Sequence, residues 1–375
     1  PGWVALVSPS QAHVVYDGTR WAVPSLSDVP QLGVGATPDG YNRLVVASDA
    51  VLFNHAGAGH QVKINKAAAG DTASLLFQTG FGGRAELGTA GSDDFTFKVS
   101  ADGSSWAEAL RIEAATGRVT APISGWREML TGPRTYYVDP LLGSDTRDGQ
   151  TTGQGAFATL DRAVTEVAHV DGSGHLVTVQ LADGVYDLGA VPVGIMAPLG
   201  GGGIEIIGNV TNPNAVTVTS SGAAMELVTG RLKLRGVRLE MSGTEPTLRV
   251  LSGGVLEVDQ VTFGTAGGHI DLVGGRLEGG GSYAIDGGGA YHLRLSQGAV
   301  LGGGVQALTL SNTPNFTTAF AICTMAGQAD FSGHSFAGAA TGRRFDVATQ
   351  GVIQSGGIVL PGDTAGSVQS GGIYV

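Results

Sequence analysis

Cysteine is nearly missing from this chain. Cys323 stands alone among 375 residues, so no internal disulfide can form and pairing says nothing about the redox compartment. Charge is sparse too, at 14% Asp, Glu, Lys and Arg, and it leans acidic. The formal net charge of −11 argues against a nucleic acid or an anionic membrane as partner, because both are held by basic patches. Neutral sugars are left open. No run approaches the ~18 apolar residues of a spanning helix, so no membrane insertion is expected. The opening PGWVALVSPS has neither an initiator Met nor a signal-peptide pattern and reads as a start inside a domain. Helical periodicity is scarce.

Glycine is abundant. There are 63 glycines, yet 42% of residues are hydrophobic, which separates the chain from disordered glycine-rich sequences. Without a collagen period, short Val, Leu, Ile and Thr runs between glycines imply many short strands and tight turns.

Three textures follow in order. Residues 1–30 read as strands WVALVS and AHVVYDGTRWAV, the second folded at an Asp17-Gly18 turn, with Trp3 and Trp21 expected to pack across it. A hairpin this small is marginal alone, so 1–30 reads as the end of an N-terminal adaptor, with PSLSDVPQ (24–31) as a linker. Residues 31–121 are expected to form a small β-rich module from RLVVAS, HQVKINKA, ASLLFQT, RAELGT and FTFKVS, closed by a hairpin-like DGSSWAEALRIEAATGRV. From 122 the pattern changes. A strand at Tyr136–Val138 enters an Asp/Gly loop, and FATLDRAVTEVAHV then places Phe157, Leu160, Val164, Val167 and Ala168 at helical spacing. That predicts a capping helix at 159–170, with Thr159 as N-cap. Trp126, just before it, suits a packing role.

From about 176 the chain is expected to wind as a stacked coil, and from 223 onward it falls into repeating lines. AAMELVTGRLKLRGVRLEMSG and TEPTLRVLSGGVLEVDQVTFG are lines of 21 residues, and the later lines reach about 26. Each holds up to three short strands, which describes a parallel β-helix over 122–350 whose alternate side chains fill the interior; 351–375 reads as a C-terminal β tail. Leu227, Val250, Leu272 and Leu295 should form one interior column. One outward row then reads Glu226, Arg249, Asp271, Arg294, Cys323, Asp346, alternating in sign over its first four members. A second reads Lys233, Glu257, Glu278, Leu301, Asp330, Gln354.

The second row brings Glu257 and Glu278 one coil apart, with Asp259 beside them. Carboxylates ~5–5.5 Å apart are the geometry of a retaining glycosidase, so Glu257, Asp259 and Glu278 are the catalytic candidates. The alternative is an exposed structural row kept tolerable by Lys233, water and counter-ions. Glu257, Glu278 and Asp330 are the candidate carbohydrate-binding side chains. Asp145 and Asp148 in GSDTRDG are a candidate calcium site, although the spacing lacks the full set of an EF-hand and both types are ordinary turn residues. Glycines in LGVGATPDG (32–40) do not lie between a strand and a helix as a dinucleotide loop requires. The eight histidines form no HxH or HxxxH pair, which disfavours zinc. Cys323 lacks a catalytic partner. No cofactor is expected.

The stretch YYVDPLLGSDTRDGQTTGQGAFATLDRAVTEVAHV is similar to the opening of pectin-lyase-like β-helices in phage tailspikes and fibres. GVGATPDGYNRLVVASDAVLFNHAGAGHQVKINKAAAGDTASLLFQTGF, with DDFTFKVSADGSSWAEALRIEAATGRV, resembles a module of alphaproteobacterial phage tail fibres and gene transfer agent spikes. GWVALVSPSQAHVVYDGTRW resembles the end of an adaptor domain in such proteins, and SGGIVLPGDTAGSVQSGGIYV their C-termini. The resemblance implies an all-β, right-handed β-helix in an intertwined homotrimer at the virion or particle surface. Such a protein is made in the bacterial cytoplasm, docks on a head or tail component, and contacts host capsular or cell-surface polysaccharide. Receptor binding is the implied role, with a polysaccharide depolymerase or a purely structural shaft as the rivals. The acidic and basic cluster of pectate lyases has no counterpart here, so their calcium-assisted elimination is not implied.

Overall fold

The computed structural model describes residues 3–7, 12–23, 29–122, 127–222, 225–302, 304 and 306–375; Trp126 and most of the Pro/Ser linker lie outside them. The chain is 46% strand and 4% helix and divides into two units, Pro1–Ser124 and Gly125–Val375.

In the first unit, strands Val4–Val7, Ala12–Tyr16 and Trp21–Ala22 form an antiparallel sheet. Asp17 closes the expected hairpin: its Oδ1 accepts from the backbone N–H groups of Thr19 and Arg20. Trp21 packs on Tyr16, ring centroids 5.5 Å apart, while Trp3 is 74% exposed. The expected Trp3–Trp21 contact is therefore replaced by a cross-strand Tyr–Trp pair. A five-stranded antiparallel sheet follows, running outward from Thr72–Thr79 through Gly82–Ala90, Phe95–Val99 and Ala107–Ile112 to Val119–Thr120. Of RLVVAS only Leu44–Val46 is a strand, pairing in parallel with Leu32–Val34. HQVKINKA, expected as a strand, is not one.

The second unit is a parallel β-solenoid of about eight turns. Each coil visits three strand positions. The first holds Val177–Leu181, Ile204–Ile207, Gly254–Asp259 and Arg276–Glu278, among others. The second holds Gly184–Asp187, Val216–Ser220 and Arg238–Met241, and the third Val193–Met196, Pro246–Leu251 and Gly268–Val273. Met225–Arg235 serves the third and then the first position without a break.

The interior column is as the repeat predicts. Leu227 pairs with Val250, Val250 with Leu272 and Leu272 with Leu295, and all four are buried. Leu295 then pairs with Cys323 and Cys323 with Val347. Cys323 therefore lies inside; Ile322 takes the outward slot opposite Arg294. Burial pushes the thiol up to about 11, as expected for a small core residue. Leu301 is likewise interior, pairing with Leu277 and Ala329, and Gly302 faces Glu278. Strands Val352–Gln354 and Ile373–Tyr374 continue the first ladder beyond Gln328–Asp330, so the segment after 351 is laid down as further coil.

Helix α1 (Leu160–Ala168) packs against Arg134–Val138, Val177–Leu181 and Val193–Met196, covering the first coil. Thr159 caps it, accepting from Arg162 N–H, and Leu160, Ala163, Val164 and Val167 are its buried face. The helix ends at Ala168 because Val170–Asp171 leaves to pair with Glu128–Met129. Phe157 precedes it, fully buried and bridged to Val138.

Candidate functional site

The first strand position presents a grid of charge. Alternation turns Arg231, Lys233 and Arg235 outward while Leu232 and Leu234 are buried. The next coil places Val255, Glu257 and Asp259 opposite them in that order, and the one after sets Arg276 against Val255 and Glu278 against Glu257. Glu205 precedes Lys233 in the same column. Glu257 and Glu278 are thus neighbours one coil apart, at the ~4.8 Å spacing of paired strands. Asp330 is in that column too, paired with Gln354, but lies beyond Gly302; its Oδ1 accepts from Ser332 N–H. Hydrogen bonds from Ser332 hold its pKa below the usual carboxylate range.

Arg231 decides the chemistry of the pair. Its Nη1 bonds Glu257 and lies 2.9 Å from Glu278 Oε2. Arg276 Nε is 3.0 Å from Glu278 Oε1, and Arg235 Nε is 3.2 Å from Asp259 Oδ2 and its Nη1 3.6 Å from Glu205. Four cations therefore face four carboxylates: Arg231, Lys233, Arg235 and Arg276 against Glu205, Glu257, Asp259 and Glu278. A general acid must carry a proton and needs room for the glycosidic oxygen; here a guanidinium occupies the position between the two carboxylates. The arrangement is a hydrogen-bonding lattice. Sequence reasoning looked to Lys233 for compensation and missed Arg231 and Arg276. The period-two run Arg231, Lys233, Arg235 shows a basic rung beside an acidic one, but not that Arg231 reaches diagonally to both glutamates, and Arg276 lies outside that run.

A cleft of about 420 Å³ adjoins Arg231, lined by Ala197–Leu199, Gly200–Gly203, Thr229 and Gly230. Two of its glycines are imposed by close approach. Gly200 and Gly202 have φ of +77° and +89°, and a Cβ there would lie 2.2 Å from Asp171 Oδ1 or 2.1 Å from His175 O. A wider cleft of about 500 Å³ lies between the start of α1 and residues 185–193.

The outward row of the third position is a ladder. Arg249 reaches Glu226 at 3.5 Å and Asp271 at 3.6 Å, and Arg294 Nε donates to Asp271 Oδ1 at 2.8 Å. The hydrogen bond it donates to Asp271 raises the Arg294 pKa. Arg249 also binds Glu245.

Asp145 and Asp148 do not converge. Asp145 accepts from the N–H groups of Ala158 and Thr159 and from Thr159 Oγ1, bracing the start of α1; Asp148 accepts from Gln150 N–H. Among the described residues no group of three or more His, Cys, Asp or Glu is placed to hold a metal ion.

Two histidines that sequence spacing called scattered meet edge-to-face inside the solenoid, ring centroids 5.2 Å apart. His269 and His292, 0% and 1% exposed, precede the register partners Ile270 and Leu293. Their Nδ1 atoms are 3.0 Å apart; His292 Nε2 is 2.8 Å from Tyr283 OH, and His269 Nε2 is 2.9 Å from Gly264 O. One assignment satisfies every atom: Tyr283 O–H donates to His292, His292 Nδ1–H to His269, and His269 Nε2–H to the carbonyl. Burial lowers His269 to about 4 and His292 well below its ordinary value, so both rings are neutral. Period 23 was the signal: HIDL and HLRL occupy one slot of adjacent lines.

No family model, curated protein or solved structure matches the chain.

Proposed function

We propose that this chain is a virion-surface fibre or spike protein that binds host capsular or cell-surface polysaccharide, acting as a homotrimer. Its solenoid is read as the right-handed, pectin-lyase-like kind. The observation that carries this reading is the lattice of paired charges around Arg231, Glu257 and Glu278. It repeats at the coil spacing on a stiff scaffold, beside an open cleft. Sugar hydroxyls exchange readily with guanidinium and carboxylate groups already fixed in place, and preorganisation limits the ordering cost. Each site is shallow, so three copies raise affinity by avidity.

The depolymerase reading has one favourable observation, the adjacency of Glu257 and Glu278, and is opposed by the guanidinium between them. One experiment separates the two: labelled full chain is added to capsulated and acapsular cells, and released saccharide is assayed in the medium. Binding only to capsulated cells, without shortening of purified capsule, is the expected result. Equal binding to both cell types refutes the proposal; shortening that vanishes in Glu257→Gln or Glu278→Gln replaces it with the enzyme.

A further inference from the structure

In the first unit, residues 46–65 are exposed one after another. No backbone–backbone hydrogen bond joins 48–67 to any other described residue; the side-chain contacts are local ones such as His55 N–H to Asn54, plus Lys66 Nζ reaching Ser92 O and Asp93. Yet the composition is not that of a solvated loop. Val51, Leu52 and Phe53 are 53, 82 and 63% exposed, and Val62 and Ile64 are 65 and 51% exposed. HQVKIN alternates polar and apolar residues as a half-buried strand does. So long an unstructured segment is uncommon inside a compact unit.

The five-stranded sheet of the same unit has the complementary defect. Register sets Leu75, Leu87, Phe97 and Leu110 side by side, with Phe77, Ala85 and Val99 next to them and Thr89, Phe95 and Ile112 on the other flank. These residues share one face. Leu75, Phe77, Phe95, Phe97 and Val99 remain 37–52% exposed. Thr72–Thr79 is an edge strand of that sheet, and an open edge is a template for strand addition.

We propose that this unit is completed by a second copy of the chain: residues 51–64 of one copy add along the Thr72–Thr79 edge and over the Leu75–Phe97 face of another. Only 65–71 separates the segment from that strand within one chain, and the segment is still left unpaired. The grid around Arg231 and the outward row from Glu226 to Arg294 are charged and offer no matching apolar face. With ~150–250 Å² for each aromatic side chain and less for each aliphatic one, the uncovered area on segment and sheet is on the order of 1,000 Å² per chain. A chain in a closed ring divides that area between two neighbours, about 500 Å² on each, so this contact supplies rather more than half of the ~800 Å² per partner of a standard stable interface. The inference rests on the multi-copy assembly in the reading above and names its contact.

Sedimentation equilibrium of the full chain at micromolar concentration tests it, alongside Ile64→Asp and Phe97→Asp. Both side chains are exposed in the single chain, so the thermal transition of the solenoid should not move. Each variant should weaken association by about 100-fold, since a lone carboxylate would be buried in an apolar contact. Hydrogen exchange should be slow at 60–65 in the wild type and fast in Ile64→Asp. An oligomer that ignores both substitutions, or one whose 60–65 amides exchange freely, overturns the contact and leaves the multi-copy reading standing. A monomeric wild type overturns both.

Discussion

Removing Arg231 asks whether the charge grid is held by its ion pairs. In Arg231→Ala, Glu257 and Glu278 lose the guanidinium that both contact and remain register partners. At the ~4.8 Å rung spacing, two unit charges repel by about 0.9 kcal/mol in bulk water and about 3.5 kcal/mol at an effective dielectric of 20. The two side chains are 26% and 25% exposed, and Arg276 still holds Glu278. A cost of about 1–2 kcal/mol at low salt follows after screening. The sign with pH is fixed. The repulsion exists only while both carboxylates are ionised. The extra cost is therefore present at neutral pH and fades once acid protonates either carboxyl. Urea unfolding of variant and wild type, compared at neutral and mildly acid pH and at low and high salt, measures the difference. Adding Glu278→Gln should restore most of the loss at neutral pH. A cost equal at both pH values and indifferent to salt would refute the reasoning: Arg231 would then act through its stem, which fills the space a side chain on Gly203 would need.

Leu272→Ala empties part of the interior column between Val250 and Leu295. It should cost about 2–5 kcal/mol, read as a lower urea midpoint at unchanged slope; a loss below about 1 kcal/mol would mean the column is not packed. The buried His269–His292 pair should make the solenoid acid-sensitive. Folded pKa values below the unfolded ~6.5 mean stability is lost as pH falls from there toward about 4, by at most about 1.4 kcal/mol per pH unit for each ring. Equilibrium unfolding across that range should show the slope, and His269→Leu/His292→Leu should flatten it. Asp145→Ala removes three bonds to the start of α1 and should cost about 1–2 kcal/mol. The melting temperature should fall equally with calcium or with chelator; a calcium-dependent difference would revive the metal reading.

What could be read from the sequence depended on whether a local period fixed it. The Leu227–Leu295 column follows from alternation within strands and near-constant coil length, so the outward ladder from Glu226 to Arg294 came with it. Cys323 and Leu301 were misplaced by one residue where that constancy fails. The coil from Leu295 to Cys323 is longer, and the pairing slips between Gly289 and Tyr291; near Leu301 a run of glycines hides the alternation. The α1 cap was legible because Thr159 and the apolar face are local signals. Arg231 was not, because its partners lie diagonally across two coils. HQVKIN reads as a strand in sequence and stands unpaired in the chain, which is the contradiction that points to a second copy.

Two devices hold the register of the stack, and they divide the solenoid between them. Leu227, Val250, Leu272 and Leu295 are spaced by 23, 22 and 23 residues, so nearly equal coils could slip past one another at little packing cost. There the outward row alternates in sign, and a slip of one coil sets Glu226 against Asp271 and Arg249 against Arg294. Asp271, 2% exposed between two guanidinium groups, would be left buried beside a like charge, which is strongly destabilising. Beyond Arg294 the partner is Ile322 and the ladder stops. The next coil is 28 residues long and is keyed by shape: Phe320 stacks on His292 at 5.0 Å and meets Phe316 and Phe336 edge-on at 5.4 and 5.6 Å. Electrostatic register is needed where lengths repeat, and aromatic register takes over where they do not.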